Sequence, residues 1–455
     1  MTAVLRLFYF CIKFFFFSFN ILHLNAQDNF ILNDDVSERI NFEFISNLII
    51  IPIEVNGVEL SFILDTGVSK PILFNLSQRD SIDLKNAKTF YLHGLGAEGK
   101  LKALRSTQNT FKIGNVGSVN QDLYVVFDEA INFTPRLGVP VHGIIGYDVF
   151  KDFVVEVNYS SKYLRLHKVN SFKPKNSKKW KSIPMSIHGR KPFIDTKVTV
   201  DKQQQDVKLL IDTGSSDALW LFEDKSLGLL SKKNMIFHDY LGQGLSGSVY
   251  GKRSKVEQFT ISDFMLSKAN VAFPDSTSID KTKIFKERNG SLGGDILKRF
   301  NLFFDYSNSR LYLKKNSYFK DAFTYNNSGI VLEHNGSVFV NEEIRMPSYD
   351  NFGDNRNDNS VQINFTINYI MKLKPAYKIV ELRESSNAYQ SGLRVGDVLI
   401  NINSKQAYDF KLPEINRILH GKTGKPIRLR IERNGQNMLF KFRLDDAFKI
   451  NEPSN

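Results

Sequence analysis

Phe62-Ile63-Leu64-Asp65-Thr66-Gly67 and Leu209-Leu210-Ile211-Asp212-Thr213-Gly214 are two copies of one phrase, an apolar run ending in Asp-Thr-Gly. Asp212 follows Asp65 by 147 residues, and that offset recurs downstream. Gly143-Ile144-Ile145-Gly146-Tyr147-Asp148 falls on Gly290-Ser291-Leu292-Gly293-Gly294-Asp295. Phe153 falls on Phe300, Asn158-Tyr159-Ser160 on Asp305-Tyr306-Ser307, and Leu164 on Leu311. The chain is internally duplicated, one repeat over 40–168 and the next over 183–315. The apolar run delivers each Asp at the end of a buried strand. Gly permits a tight turn and close backbone approach, and Thr carries a hydroxyl that can bond across to a neighbouring strand. Two such loops face to face place two carboxylates about 3 Å apart, where only one ionises readily. Such a pair shares a proton and holds a water. The ionised member takes a proton from the water, and the protonated member donates to a carbonyl oxygen.

At 455 residues the chain is long enough for two or three domains with real cores. Arg6, the apolar stretch through Phe14-Phe15-Phe16-Phe17 to Leu24, and then Ala26 have the layout of a secretory signal peptide cut after residue 26. The alternative is an uncleaved membrane anchor, against which Lys13, Asn20 and His23 interrupt the run. Cys11, the single cysteine, lies in this segment, so the remainder can form no disulfide and no Cys-ligated metal site. That absence favours a bacterial envelope protein, exported to the periplasm or beyond. The formal charge of +13 is spread along the chain, with one lysine cluster over 173–181 that reads as a linker. No nucleic-acid motif accompanies it, so the excess reads first as a solvated basic surface, with peripheral contact with anionic membrane surfaces or acidic polymers as the secondary reading.

The body reads as β-rich. Leu48–Val55 and Val58–Leu64 form a hairpin at Asn56-Gly57. One short helix per repeat is expected at Asp148 and Asp295, each capping the free N–H groups. Each repeat also carries a glycine-rich segment suited to a hairpin tip, Gly94, Gly96 and Gly99 in the first, Gly242, Gly244 and Gly247 in the second. Residues 341–360 read as a polar, solvated insertion whose acids fit no calcium loop. A further globular unit follows, with a helix over Leu412–Leu419 and a tight hairpin at Asn434-Gly435. There is no His-Glu-x-x-His zinc motif. Gly244-Leu245-Ser246-Gly247-Ser248 is not a nucleophile elbow, because it ends in Ser. Trp220 and Phe222 read as core.

With these residues in place, the repeats resemble the retropepsin-like and pepsin-like aspartic proteases over residues 40–315. The resemblance implies a mainly β, bilobal, single-chain fold with Asp65 and Asp212 as the catalytic pair. It further implies that Thr66, Gly67, Thr213 and Gly214 support the loops, that Ser215 orients Asp212, and that the glycine-rich hairpins are flaps. Ile144-Ile145-Gly146 and Ser291-Leu292-Gly293 look like the motif that packs behind each loop. Ser391-Gly392-Leu393-Arg394-Val395-Gly396-Asp397-Val398-Leu399 resembles the core of a PDZ domain (α+β). Gly329, Ile330, Val331 and Leu332 then look like its carboxylate-binding loop and peptide-accepting edge. The whole resembles bacterial secreted aspartyl proteases fused to a PDZ domain. Two features depart from the family. Val68 stands where a hydroxyl or alanine is usual, and neither glycine-rich segment holds a flap tyrosine.

The expected division is a signal peptide over 1–26, lobes over 27–172 and 173–318, a PDZ domain over 322–447 and a tail over 448–455. The expected activity is that of an aspartic endopeptidase needing no metal or organic cofactor. It acts as a monomer on peptide or protein substrates, with its PDZ domain capturing protein C-termini. The rival is a catalytically silent peptide-binding scaffold of the same architecture. Because Ser215 can bond its carboxylate and Val68 cannot, Asp212 is expected to be the ionised partner and Asp65 the protonated one.

Overall fold

The computed structural model describes residues 28–448, apart from 34, 77–81, 94–99, 128–130, 175–176, 232–235, 245–246, 279–284 and 350–362. The expected signal segment, Cys11 and the tips of the first flap and of the insertion therefore lie outside the described residues.

Each lobe is built around the same hairpin. In the first, Leu48–Val55 pairs with Val58–Leu64, and Asn56 and Gly57 turn at positive φ (49° and 88°) as that turn requires. Gly143–Ile145 then lies parallel to Phe62-Ile63-Leu64, and Ile72–Leu73 covers its other edge. In the second lobe Lys191–Val200 pairs with Gln203–Ile211. Gly290–Leu292 lies parallel to Leu209-Leu210-Ile211, and Leu219–Leu221 covers it. The leading glycines are there for space. A Cβ on Gly143 would sit 2.4 Å from the Phe62 ring, and one on Gly290 would sit 1.9 Å from the Trp220 carbonyl. Both strands of the second hairpin are two residues longer, so across this region the offset changes. Leu48, which starts its strand two residues before the Ile50–Ile63 pair, corresponds to Lys191, two residues before the Phe193–Leu210 pair.

A six-stranded sheet joins the lobes, in the order Lys181–Pro184, Arg310–Lys315, Phe300–Asp305, Phe153–Asn158, Tyr163–Lys168, Ser37–Asn41. At its centre Glu156 lies opposite Phe303, its own counterpart in the repeat, flanked by Val155 opposite Phe304 and Val157 opposite Leu302. The pseudo-twofold axis of the duplication therefore passes through this pair. Val155, Val157, Leu302 and Phe304 are buried there within one apolar core that runs through both lobes.

Asp148 and Asp295 do not cap their helices. The helices Tyr147–Phe150 and Gly294–Leu297 start at Gly146 and Gly293, without side-chain caps. The aspartates instead pair with cations: Asp148 with Lys70 (3.2 Å), and Asp295 with Lys298 (2.6 Å) and Arg299 (3.6 Å). Burial of a carboxylate requires such a partner.

The C-terminal unit is a separate six-stranded sheet with its own core around Ile330, Leu332, Tyr377, Leu393, Ile415 and Leu429. Asp397 is buried in it and held by two bonds from Arg433 (2.6 and 2.7 Å). The insertion is more ordered than its polar composition suggests. Ile330–Tyr349 and Ile363–Leu382 form one long hairpin, so residues 341–349 are strand. Backbone pairing across the hairpin needs no buried face, which is why composition hid it. The expected tail also begins inside the fold, because Phe448 is buried against Phe237 and Tyr325 (5.3 and 6.0 Å between centroids).

Candidate active site

The two Asp-Thr-Gly turns are locked to each other by a reciprocal set of bonds. Asp65 N–H donates to Ile145 O (2.8 Å) and Asp212 N–H to Leu292 O (2.9 Å), so each strand end is fixed by the segment behind it. The Thr66 hydroxyl donates to Ile211 O (2.6 Å) and accepts from Thr213 N–H (3.1 Å). The Thr213 hydroxyl donates to Leu64 O (2.7 Å) and accepts from Thr66 N–H (3.0 Å). Every partner maps onto its counterpart at the 147-residue offset, and both threonines are buried. Gly67 N–H donates to the Asp65 carboxylate (2.7 Å). Gly214 packs directly on that carboxylate, where a Cβ would lie 2.2 Å from Asp65 Cγ. A Cβ on Gly67 would in turn lie 3.7 Å from Asp212 Oδ1. Both aspartates thus meet at one point between the lobes.

Charge at this point is not symmetric. Both aspartates keep partial solvent contact, yet protein surrounds their carboxylates closely. Desolvation, followed by the charge of Asp212, pushes Asp65 up to about 7, against the pull of Gly67 N–H, Lys191 and Gly214 N–H. Desolvation also raises Asp212, but Arg288, Lys191, Gly214 N–H and the Ser291 hydroxyl all favour its ionised form. Lys191, Arg288 and Ser291 correspond to Leu48, Val141 and Ile144, which in the first lobe form an apolar cluster with Val68, Ile50 and Ile63. These neighbours favour an ionised Asp212, the expected sense, but Ser215 is not among them. Ser215 closes the turn through its backbone N–H on Asp212 O (3.3 Å), and its hydroxyl lies beside Gly293. The hydroxyl that acts on Asp212 is that of Ser291. Ser291 stood out in the sequence only as a polar residue in an apolar motif. Arg288 and Lys191 were legible solely as charges at apolar repeat positions, and the longer hairpin concealed the second.

The glycine-rich segment of the second lobe falls at a hairpin tip. In the first lobe Lys88–His93 and Lys100–Ile113 pair up to His93 opposite Lys100, and Gly94, Gly96 and Gly99, the expected flap residues, lie outside the described residues. Phe237–Gly244 pairs with Gly247–Lys255, closing at Gly244 opposite Gly247, and a register shift at Leu241 sets Gly242. Trp220 and Phe222 pack under this hairpin with Leu241, Val249 and Ala272.

At Gly329–Leu332 the geometry differs from an open carboxylate-binding loop. The N–H groups of Ser328 and Gly329 donate to Asn326 Oδ1 (both 3.1 Å), and Ile330 N–H donates to Ser328 Oγ (3.1 Å). Ile330 and Leu332 are buried. Their strand is nevertheless the outermost of its sheet. The first-lobe helix Thr134–Leu137 packs against that strand, and Gly138 is close enough to Leu412 that a Cβ would lie 2.7 Å from it. Arg136 reaches Glu333 (3.9 Å) and Glu381 (3.6 Å) and lies over the ring of Tyr240 in the second-lobe hairpin (4.4 Å).

Residues 51–149 match the family model described as aspartyl protease, and residues 378–433 match that of the PDZ domain. The first match covers the loop of Asp65 and ends after the Gly143-Ile144-Ile145-Gly146 motif. No curated protein matches the chain.

Proposed function

We propose that this chain, which carries an aspartyl protease domain and a PDZ domain, is a single-chain aspartic endopeptidase with Asp65 and Asp212 as its catalytic pair. The observation that carries the reading is the reciprocal Thr66–Thr213 lock, which brings one carboxylate from each lobe to the pseudo-twofold axis. In this mechanism the Asp212 carboxylate accepts a proton from a water held between the two groups as that water attacks the peptide carbonyl. Asp65 donates its proton to the carbonyl oxygen, giving a tetrahedral intermediate. Asp212, now carrying a proton, delivers it to the leaving amine while the Asp65 carboxylate takes a proton back from a hydroxyl of the intermediate; the C–N bond breaks and the pair returns to its starting protonation. Thr66 and Thr213 hold the loops in register and touch no reacting atom. The second-lobe hairpin ending at Gly244 and Gly247, and its first-lobe equivalent, serve as covers for an extended substrate. The PDZ domain adds peptide binding. Export by an N-terminal signal segment completes the proposal.

The test is hydrolysis of a mixed peptide library by the full chain, compared with Asp65→Asn and Asp212→Asn. Internal cleavage by the wild type that both variants lose supports the endopeptidase. Peptide retention without cleavage by the wild type would favour the scaffold instead.

A further inference from the structure

Arg288 is a buried cation beside the pair, only 8% exposed, where the first lobe has Val141. Its Nε donates to Gly290 O (3.0 Å) and its Nη2 to Ser291 Oγ (2.5 Å), and its guanidinium lies 5.4 Å from the centre of the Phe222 ring. Among the described residues no carboxylate lies within ion-pair distance of it, and the one negative charge it answers to is that of Asp212. Burying a guanidinium without a paired anion is costly, and burial pushes Arg288 down to about 10. An anion at Asp212 offsets that cost, whereas a protonated Asp212 does not.

The hydrogen-bond direction points the same way. Ser291 sits opposite Leu210 in the parallel ladder, so residues 288–292 run alongside the strand that ends in Asp212. The Ser291 oxygen accepts from Arg288, so its hydrogen points away from the guanidinium. A hydroxyl polarised in this way is a donor to its other neighbour, and a donor stabilises a carboxylate rather than a carboxylic acid. The first lobe offers Asp65 no such donor, because Val141 and Ile144 stand in these places.

We propose that Arg288, acting through the Ser291 hydroxyl, is a positioning residue that keeps Asp212 the ionised member of the pair and leaves the shared proton on Asp65. The proposal rests on the endopeptidase reading for its catalytic consequence, since it makes Asp212 the base and Asp65 the acid in the first step. The other groups facing the pair act differently. Lys191 bears on both aspartates, Gly67 and Gly214 offer N–H groups, and Tyr306 faces Asp65. Arg288 and Ser291 are the groups that distinguish Asp212 from its partner.

Two readouts test this on the full chain. The first is the pH–rate profile of Arg288→Val and Ser291→Ile, which install the first-lobe residues. Removing either donor should raise the lower ionisation of the pair and move the acidic limb up by about one pH unit. Arg288→Lys, which keeps the charge, should recover part of that shift. The second is a carboxyl-carbon titration of the ¹³C-aspartate-labelled chain, assigned with Asp65→Asn and Asp212→Asn, which needs no activity. The lower step should belong to Asp212 and should rise in Arg288→Val. Should that variant fail to fold, Ser291→Ala removes one hydroxyl and answers the same question. A lower step assigned to Asp65, or one unmoved in the folded variants, overturns the proposal. Absence of hydrolysis by a wild type whose titration behaves as expected would count against the endopeptidase reading alone.

Discussion

The two lobes are alike in backbone and unlike in charge. Phe62–Thr66 and Leu209–Thr213 make the same ladder pairs with the segments behind them and the same reciprocal threonine bonds. Around that common frame, Leu48, Val141, Ile144 and Val68 enclose the first aspartate loop in hydrocarbon. Lys191, Arg288 and Ser291 place two cations and a hydroxyl at the second. The backbone fixes where the carboxylates meet, whereas the residues packed behind the loops decide which of them holds a proton. Duplication followed by divergence could then tune the site without touching either Asp-Thr-Gly.

The sharpest way to break the comparison is at the carboxylates. On the proposed mechanism the two perform different tasks, so Asp65→Asn and Asp212→Asn should each lower turnover by about three orders of magnitude or more. Peptide turnover measured at saturating substrate checks this. If one variant retained most of its activity, the lobes would not be partners in a single site.

Next come the threonines, where the lobes should behave as equals. Thr66→Val and Thr213→Val each delete one donor to a buried carbonyl and one acceptor for a buried N–H. Each should cost about 2 kcal/mol, and the double variant should depart from the sum because the four bonds belong to one network. Denaturant unfolding of the full-length variants gives these values. Unequal costs would mean that the lock is less symmetric than its distances.

A smaller effect separates the cations. Lys191 favours the ionised form of both aspartates, so Lys191→Leu, the first-lobe residue, should move the acidic and alkaline limbs of the pH–rate profile upwards together. Arg288 should act chiefly on the acidic limb. A Lys191→Leu profile in which only one limb moves would reassign the two roles.

The remaining expected change is in stability, and it appears only as a dependence on pH. Asp65 is raised from an ordinary 3.8 to about 7 on folding, so between these values the folded chain binds more protons than the unfolded one. Stability from this group is present below about pH 4 and is lost as pH rises towards 7. Asp65→Asn lacks this dependence. Its melting temperature should therefore gain on the wild type progressively from pH 4 to 7, a trend that differential scanning fluorimetry would resolve.

Much of this was legible in the chain. The duplication announced itself through motifs whose spacing survived, and Thr66 and Thr213 belonged to those motifs. The charge asymmetry was legible in outcome but not in cause. Val68 and Ser215 suggested it by adjacency in sequence, whereas the groups that distinguish Asp212 arrive from the segment 288–291, and Lys191, which bears on both aspartates, comes from the far strand of the Asp212 hairpin. The two extra residues in each strand of that hairpin shift the offset, so a fixed-period comparison cannot pair Lys191 with Leu48. Asp148 and Asp295 misled for a related reason, because a residue near a helix start reads as a cap until its cation partner is placed by tertiary folding. At Gly329 and Ile330 the motif was visible, but the side chains of Asn326 and Ser328 that occupy its N–H groups carry no sequence signature of that role.

The central claim is that two unlike halves of one polypeptide form a single site. It is tested most directly by measuring hydrolysis in a mixture of the Asp65→Asn and Asp212→Asn chains, alongside wild-type specific activity over a wide dilution series. A site closed within each chain predicts an inactive mixture and a specific activity that does not change with dilution. Recovery of activity on mixing, or loss of wild-type activity as the protein is diluted, would contradict it.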